Sequence, residues 1–117
     1  MTNPSKKRGT GWESVIVDYL QREGWPHVER RSLNGSTDRG DIAGIPSVVI
    51  EAKNCKRVEL AEWINEVEQE RRNDHADVGV VWMKRRGRAS AAGGYVVMTG
   101  AQFTRLLREA GYHPEGP

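Results

Sequence analysis

The chain has 117 residues, 37% of them hydrophobic and 29% charged, with a single cysteine and a formal net charge of +2. That length supports one domain with its own core and leaves no room for a second. The apolar runs are only a few residues long, against the roughly 20 a membrane span requires. Lys6-Lys7-Arg8 is followed by no apolar stretch with a small-residue cleavage site, so no secretory signal is expected. Cys55 alone can form neither an intrachain disulfide nor a thiolate metal cluster. A soluble, cytoplasmic domain is the expectation, in the host cytoplasm if the source is viral.

Residues 1–9 are polar, basic and aperiodic, and read as a flexible arm. From Trp12 the apolar residues fall at Val15, Ile16, Tyr19 and Leu20, the one-sided stripe of a helix. Thr10 suits its N-cap with Glu13 three positions on, a capping box, and Gly24 ends it. Residues 27–33 read as a strand, followed by a polar loop with Gly35, Ser36, Asp38, Arg39 and Gly40. Two short strands, Asp41–Ala43 and Ser47–Lys53, flank a tight turn at Gly44-Ile45-Pro46. A helix follows with Leu60, Trp63, Ile64 and Val67 on one face. Its Glu59 and Glu62 lie near the N-terminus and Arg71 and Arg72 near the C-terminus, in line with the helix dipole. Val78–Met83 is short and apolar enough for a buried strand, and Tyr95–Met98 is another. The last helix, Gly100–Ala110, is expected to turn Phe103, Leu106, Leu107 and Ala110 inward. The order α-β-β-β-α-β-β-α predicts an α/β domain over residues 10–112, a mixed sheet flanked by helices, with 113–117 as a tail.

Charge is unevenly placed. Residues 59–77 sum to −5, read here as an exposed helix face, and the remainder sums to +7. Two basic clusters stand out, Lys6-Lys7-Arg8 and the loop Lys84-Arg85-Arg86-Gly87-Arg88. Concentrated positive charge attracts phosphate polyanions. Arg30, Arg31, Arg39, Lys56 and Arg57 flank the same strand ends and extend that surface. His27, His75 and His113 show no zinc spacing. Cys55 has no base beside it and reads as a packed thiol. Trp12, Trp63 and Trp82 fall at core positions. No Walker loop or dinucleotide fingerprint is present, so no nucleotide cofactor is expected.

The chemistry concentrates in residues 40–53. Side chains alternate along a strand, so Val49, Glu51 and Lys53 share one face of the apolar run Val48-Val49-Ile50-Glu51-Ala52-Lys53. A turn through Gly44 brings Asp41 back toward Glu51. Two carboxylates are hard oxygen ligands suited to Mg²⁺. A lysine beside them supplies positive charge where a phosphodiester gathers negative charge during hydrolysis. Glu13, next to Trp12, lies at the edge of the apolar stripe and faces the sheet. Asp38, in the preceding loop, is an alternative acid; Asp41 is preferred because a strand start is the more rigid platform.

This arrangement resembles the PD-(D/E)xK nuclease superfamily, whose core runs α-β-β-β-α-β. Within it, the nearest likeness is to archaeal-type Holliday junction resolvases. Gly11-Trp12-Glu13, Gly35-Ser36, Gly40-Asp41-Ile42-Ala43 and Val49-Ile50-Glu51-Ala52-Lys53 carry the resemblance, over roughly residues 8 to 85. Gly40 stands where the superfamily's name has proline. The resemblance implies a restriction-endonuclease-like fold and Mg²⁺, replaceable by Mn²⁺, held by Glu13, Asp41 and Glu51. It further implies that Lys53 is catalytic, with Ser36 near the scissile phosphate and Gln69 a polar residue beside the site. The expected function is a homodimeric resolvase that hydrolyses phosphodiesters in four-way DNA junctions. Two alternatives stand: a nuclease of the same chemistry acting on flaps, ends or duplex, and a non-catalytic nucleic-acid-binding domain whose acids and lysine form an inert ion pair.

Overall fold

In the computed structural model, residues 4–31 and 41–113 are described, with side chains from residue 11 onward. Three helices and five strands alternate along these residues: α1 (Pro4–Arg22), β1 (Glu29–Arg30), β2 (Ile42–Ala43), β3 (Val48–Lys53), α2 (Leu60–Asn73), β4 (Val78–Met83), β5 (Tyr95–Val97) and α3 (Gly100–Glu109). The strands form one mixed sheet in the order β1-β2-β3-β4-β5. Pairing is antiparallel from β1 to β3, parallel between β3 and β4, and antiparallel again at β5. The parallel pair is made possible by α2, which crosses over between its two strands.

Alternation along β3 and β4 divides the core between the two faces of the sheet. Ile50, Ala52, Val80 and Trp82 pack with Trp12, Ile16 and Leu20 of α1. Val49 and Val81 pack with Trp63 and Val67 of α2. β3 and β4 are buried from both sides, which explains why both read as near-continuous apolar runs. Trp12 Nε1 fastens α1 to the sheet by donating to the Trp82 carbonyl at 2.9 Å, and Trp82 Nε1 ties the loop before β5 to β4 by donating to the Ala91 carbonyl at 3.1 Å.

Two helices depart from expectation. The helical backbone of α1 begins at Pro4 and runs through the segment expected as a flexible arm, so Thr10 lies inside the helix and is not its cap. Proline suits a first helical turn, and lysine and arginine are good helix formers. In α3 half of the expected inward stripe is outward, with Phe103 54% exposed and Ala110 exposed, while Leu106 and Leu107 are half-buried. Leu106 is the stripe residue that packs against the α1-side core. Gln102 is buried instead; with its amide oriented to satisfy both neighbours, it donates to the Asp77 carbonyl at 2.7 Å and accepts from Arg71 at 3.3 Å. That polar anchor sets the rotation of the helix. Cys55, expected to be packed, is exposed.

The turn joining β2 to β3 depends on a glycine. Gly44 has φ +107°, and a Cβ there would run into the carbonyl of His27 and lie 2.6 Å from Val28 Cα. Both obstacles are backbone, so neither can swing aside. Gly44→Ala is expected to cost about 2–3 kcal/mol from strain and backbone displacement, measured as a shift in the urea midpoint. An unchanged midpoint would show that the turn relaxes freely.

Candidate active site and cationic cleft

β2 and β3 bring the first two acids together. Ile42 pairs with Ile50, and one step further along that register sets Asp41 beside Glu51, on the face covered by α2. Asp41 is fixed there by an unusual bond. Its Oδ2 accepts from the Ala52 N–H at 2.8 Å, so a carboxylate takes the place of a ladder carbonyl. The Asp41 N–H in turn donates to the Ile50 carbonyl at 3.0 Å. Lys53, two residues beyond Glu51 on the same face, places Nζ 3.9 Å from Glu51 Oε1 and 3.7 Å from Glu66 Oε2. The same ammonium lies 5.5 Å from the centre of the Trp63 ring, where the ring's negative face adds attraction.

The carboxylates strain against their surroundings. Burial raises the pKa of Asp41, and the charge of Glu13 adds to the rise. The Ala52 and Glu51 hydrogen bonds and Lys53 oppose it. Glu51 is pushed further, to about 10, first by burial, then by its contact with the Glu70 carboxyl and the charges of Asp41 and Glu70; Lys53 opposes. Glu51 is 9% exposed and Glu70 3%. With every carboxyl ionised, buried Glu51 Oε2 has no donor facing it. A pair of carboxyls in contact without a cation must hold a shared proton.

Glu66 and Glu70 are the residues that sequence reasoning missed. Both lie in the segment read as an exposed acidic face. Yet Glu70 falls seven positions after Trp63 and three after Val67, on the helix's buried stripe. That spacing was the available signal, obscured by the surrounding acids. Gln69, expected beside the site, is one position off the stripe and exposed; its amide bonds Asn73 at 3.0 Å and Arg72 at 3.3 Å.

Glu13 stands apart from the pair. Its Oε2 accepts from Arg30 Nε of β1 at 3.1 Å, and its influence on Asp41 is through charge. Arg30 is thereby committed to Glu13, whereas the half-buried Arg31 has no acceptor for Nε among the described residues. Ser36, Asp38 and Arg39 lie outside the described residues, as do the side chains of Lys6, Lys7 and Arg8.

The donor set fits a magnesium ion in kind: hard oxygens, an orphaned buried carboxylate atom, and repulsion that a divalent cation would relieve. Among the described residues, no three acidic, histidine or cysteine side chains are grouped to hold a metal unaided. A magnesium site commonly uses one or two carboxylates, with water and substrate phosphate completing the shell. Asp41 and Glu51 are the two that would hold it.

Beyond Lys53 the sheet opens into a cleft of about 460 Å³ at the carboxyl ends of β3 and β4. Its walls carry Lys53, Lys56, Lys84, Arg85 and Arg86 and no acidic side chain. Crevices at the carboxyl ends of parallel strands are the common ligand position in open α/β sheets. Arg57 and Arg88 are exposed nearby in sequence, and Arg57 pairs with Glu59 at 3.6 Å. The three histidines are exposed. Among the described residues no helix is long and apolar enough to cross a membrane. No protein-family model matches the chain, nor does any curated protein or any solved structure.

Proposed function

We propose that this chain is a Mg²⁺-dependent DNA endonuclease with a restriction-endonuclease-like core, acting on four-way junctions as a homodimeric resolvase. One observation carries the reading: Asp41, Glu51 and Lys53 converge on one face of the sheet, with a buried carboxylate oxygen facing no donor, beside a cleft walled only by cations among its charged groups. The order of the first six elements, α-β-β-β-α-β, is that of the nuclease core and supports it.

Bound at Asp41 and Glu51, the ion would polarise the scissile phosphate and lower the pKa of an attacking water. The chain's own residues set the stage for that chemistry. The Ala52 N–H holds Asp41 in place, and Glu66 and Trp63 steer the Lys53 ammonium toward the carboxylates. Lys53 then lies where phosphate charge develops and can orient the water. The basic walls of the cleft grip backbone phosphates, so binding is shape-selective and weakens steeply with salt. A two-fold dimer supplies the two symmetric cuts that a junction requires.

The test is incubation with a labelled immobile junction, the matching linear duplex and single strand, with and without Mg²⁺. Paired symmetric nicks in the junction, dependent on metal, are expected. Cutting of every substrate would retain the nuclease and remove the junction preference. Binding without cutting in Mg²⁺ or Mn²⁺ would reduce Asp41, Glu51 and Lys53 to an ion-paired cluster on a DNA-binding domain.

A further inference from the structure

The cleft holds more than a phosphate grip requires. Besides its cations, it is lined by the Tyr95 ring, which is 50% exposed, and by the apolar side chains of Val58 and Met83. Val58 is itself 56% exposed. Tyr95 sits at the start of β5, opposite Met83 in the ladder, and the Arg85 guanidinium lies 5.7 Å from its ring centre. A half-exposed ring with an arginine over it is a stacking platform for a planar base, because base–aromatic contact tolerates any sequence and arginine adds to it. The volume of the cleft leaves room for one nucleotide, whereas a paired base within a duplex cannot turn into it.

We infer that this cleft takes an unpaired nucleotide of DNA: its base stacks on Tyr95 against Val58 and Met83, and its phosphates lie among Lys56, Lys84 and Arg86. Lys53 lines the cleft and also touches Glu51, so the nucleotide held is the neighbour of the phosphate presented to Asp41 and Glu51. This second step rests on the nuclease reading; the nucleotide pocket itself does not. The substrate class that follows is DNA with an unstacked or unpaired residue next to the cut, as at a branch point or flap, and intact duplex is excluded.

The experiment uses the full chain in EDTA, so that binding is read without cleavage. The probe is a short single-stranded oligonucleotide carrying one fluorescent adenine analogue whose emission falls when it stacks. Quenching on binding is expected, with affinity roughly tenfold weaker in Tyr95→Ala and restored in Tyr95→Phe, which keeps the ring. An oligonucleotide with an abasic site at the same position should bind the wild-type chain as weakly as the intact one binds Tyr95→Ala. Equal affinity for intact and abasic strands would overturn the proposal, leaving a phosphate grip alone. Displacement of the oligonucleotide by a glutamate-rich peptide at equal concentration would overturn it in favour of a protein partner. Cleavage by the wild-type chain in Mg²⁺ keeps apart the two readings: a Tyr95-dependent pocket in a chain that never cuts removes the nuclease and retains the pocket, and cutting with no Tyr95 dependence does the reverse.

Discussion

Lys53→Met is expected to lower the single-turnover rate of junction nicking by about 10²–10⁴-fold while leaving junction binding within a few-fold of wild type. Methionine keeps an unbranched side chain beside Trp63, and Lys53 is not part of the α2-side core, which the substitution leaves intact. What disappears is the ammonium between Glu51 and Glu66, 3.9 Å and 3.7 Å away. Two consequences reinforce each other. Positive charge is lost where a phosphate would be attacked, and Glu51 loses the one contribution that favours its ionised form. Binding is spared because four other cations line the cleft. Glu66→Gln, which removes only the outer of the lysine's two partners, should slow nicking far less. Nicking at the wild-type rate in Lys53→Met would end the assignment of Lys53, and a parallel loss of binding would place the lysine in the phosphate grip instead.

Much of this site was legible in the sequence because strands encode direction simply. Alternation through Val49, Glu51 and Lys53 fixes which side chains share a face, and the turn at Gly44 leaves few places for Asp41. The elements around it were equally readable: β3 and β4 are buried on both faces, so their composition marks them, and the element order follows. Helices encode direction through phase, and phase was harder to read. In α2 the acids are so frequent that Glu66 and Glu70 looked like a solvated face, although Glu70 continues the buried stripe of Trp63 and Val67. In α3 the apolar stripe was clear and its partner was not: a buried Gln102, anchored on Asp77 and Arg71, turns Phe103 outward. Cys55 and Tyr95 were invisible as cleft residues because a cleft at the ends of β3 and β4 exists only once those strands lie side by side.

Glu51→Gln is expected to make the fold more stable above pH 7 while abolishing cleavage. Glu51 ionises near 4.5 in an unfolded chain, and the folded protein raises it to about 10. Between those values the folded state holds a proton that the unfolded state has released, so stability present below pH 4.5 is lost as pH rises toward 10. The limiting slope is about 1.4 kcal/mol per pH unit for one proton. The neighbouring Asp41, also raised, tilts the curve the same way at its lower end. Glutamine is nearly isosteric, carries no charge, and supplies an N–H₂ toward Glu70, so the slope between pH 6 and 9 should flatten. At pH 8 the variant should gain about 2 kcal/mol, or roughly 5–10 °C in Tm. A divalent cation would relieve the same repulsion in the wild-type chain by displacing the proton. Mg²⁺ should therefore raise the wild-type Tm more at pH 8 than at pH 6, through preferential binding to the folded state, and should leave Glu51→Gln nearly unmoved. Identical pH slopes in the two chains would show that Glu51 is ionised and satisfied in the fold. A Tm rise with Mg²⁺ in both would place the ion away from Glu51. The expected pattern ties instability to function: the chain keeps a carboxyl where folding alone disfavours its charge, because a cation and a phosphate are the partners that complete it.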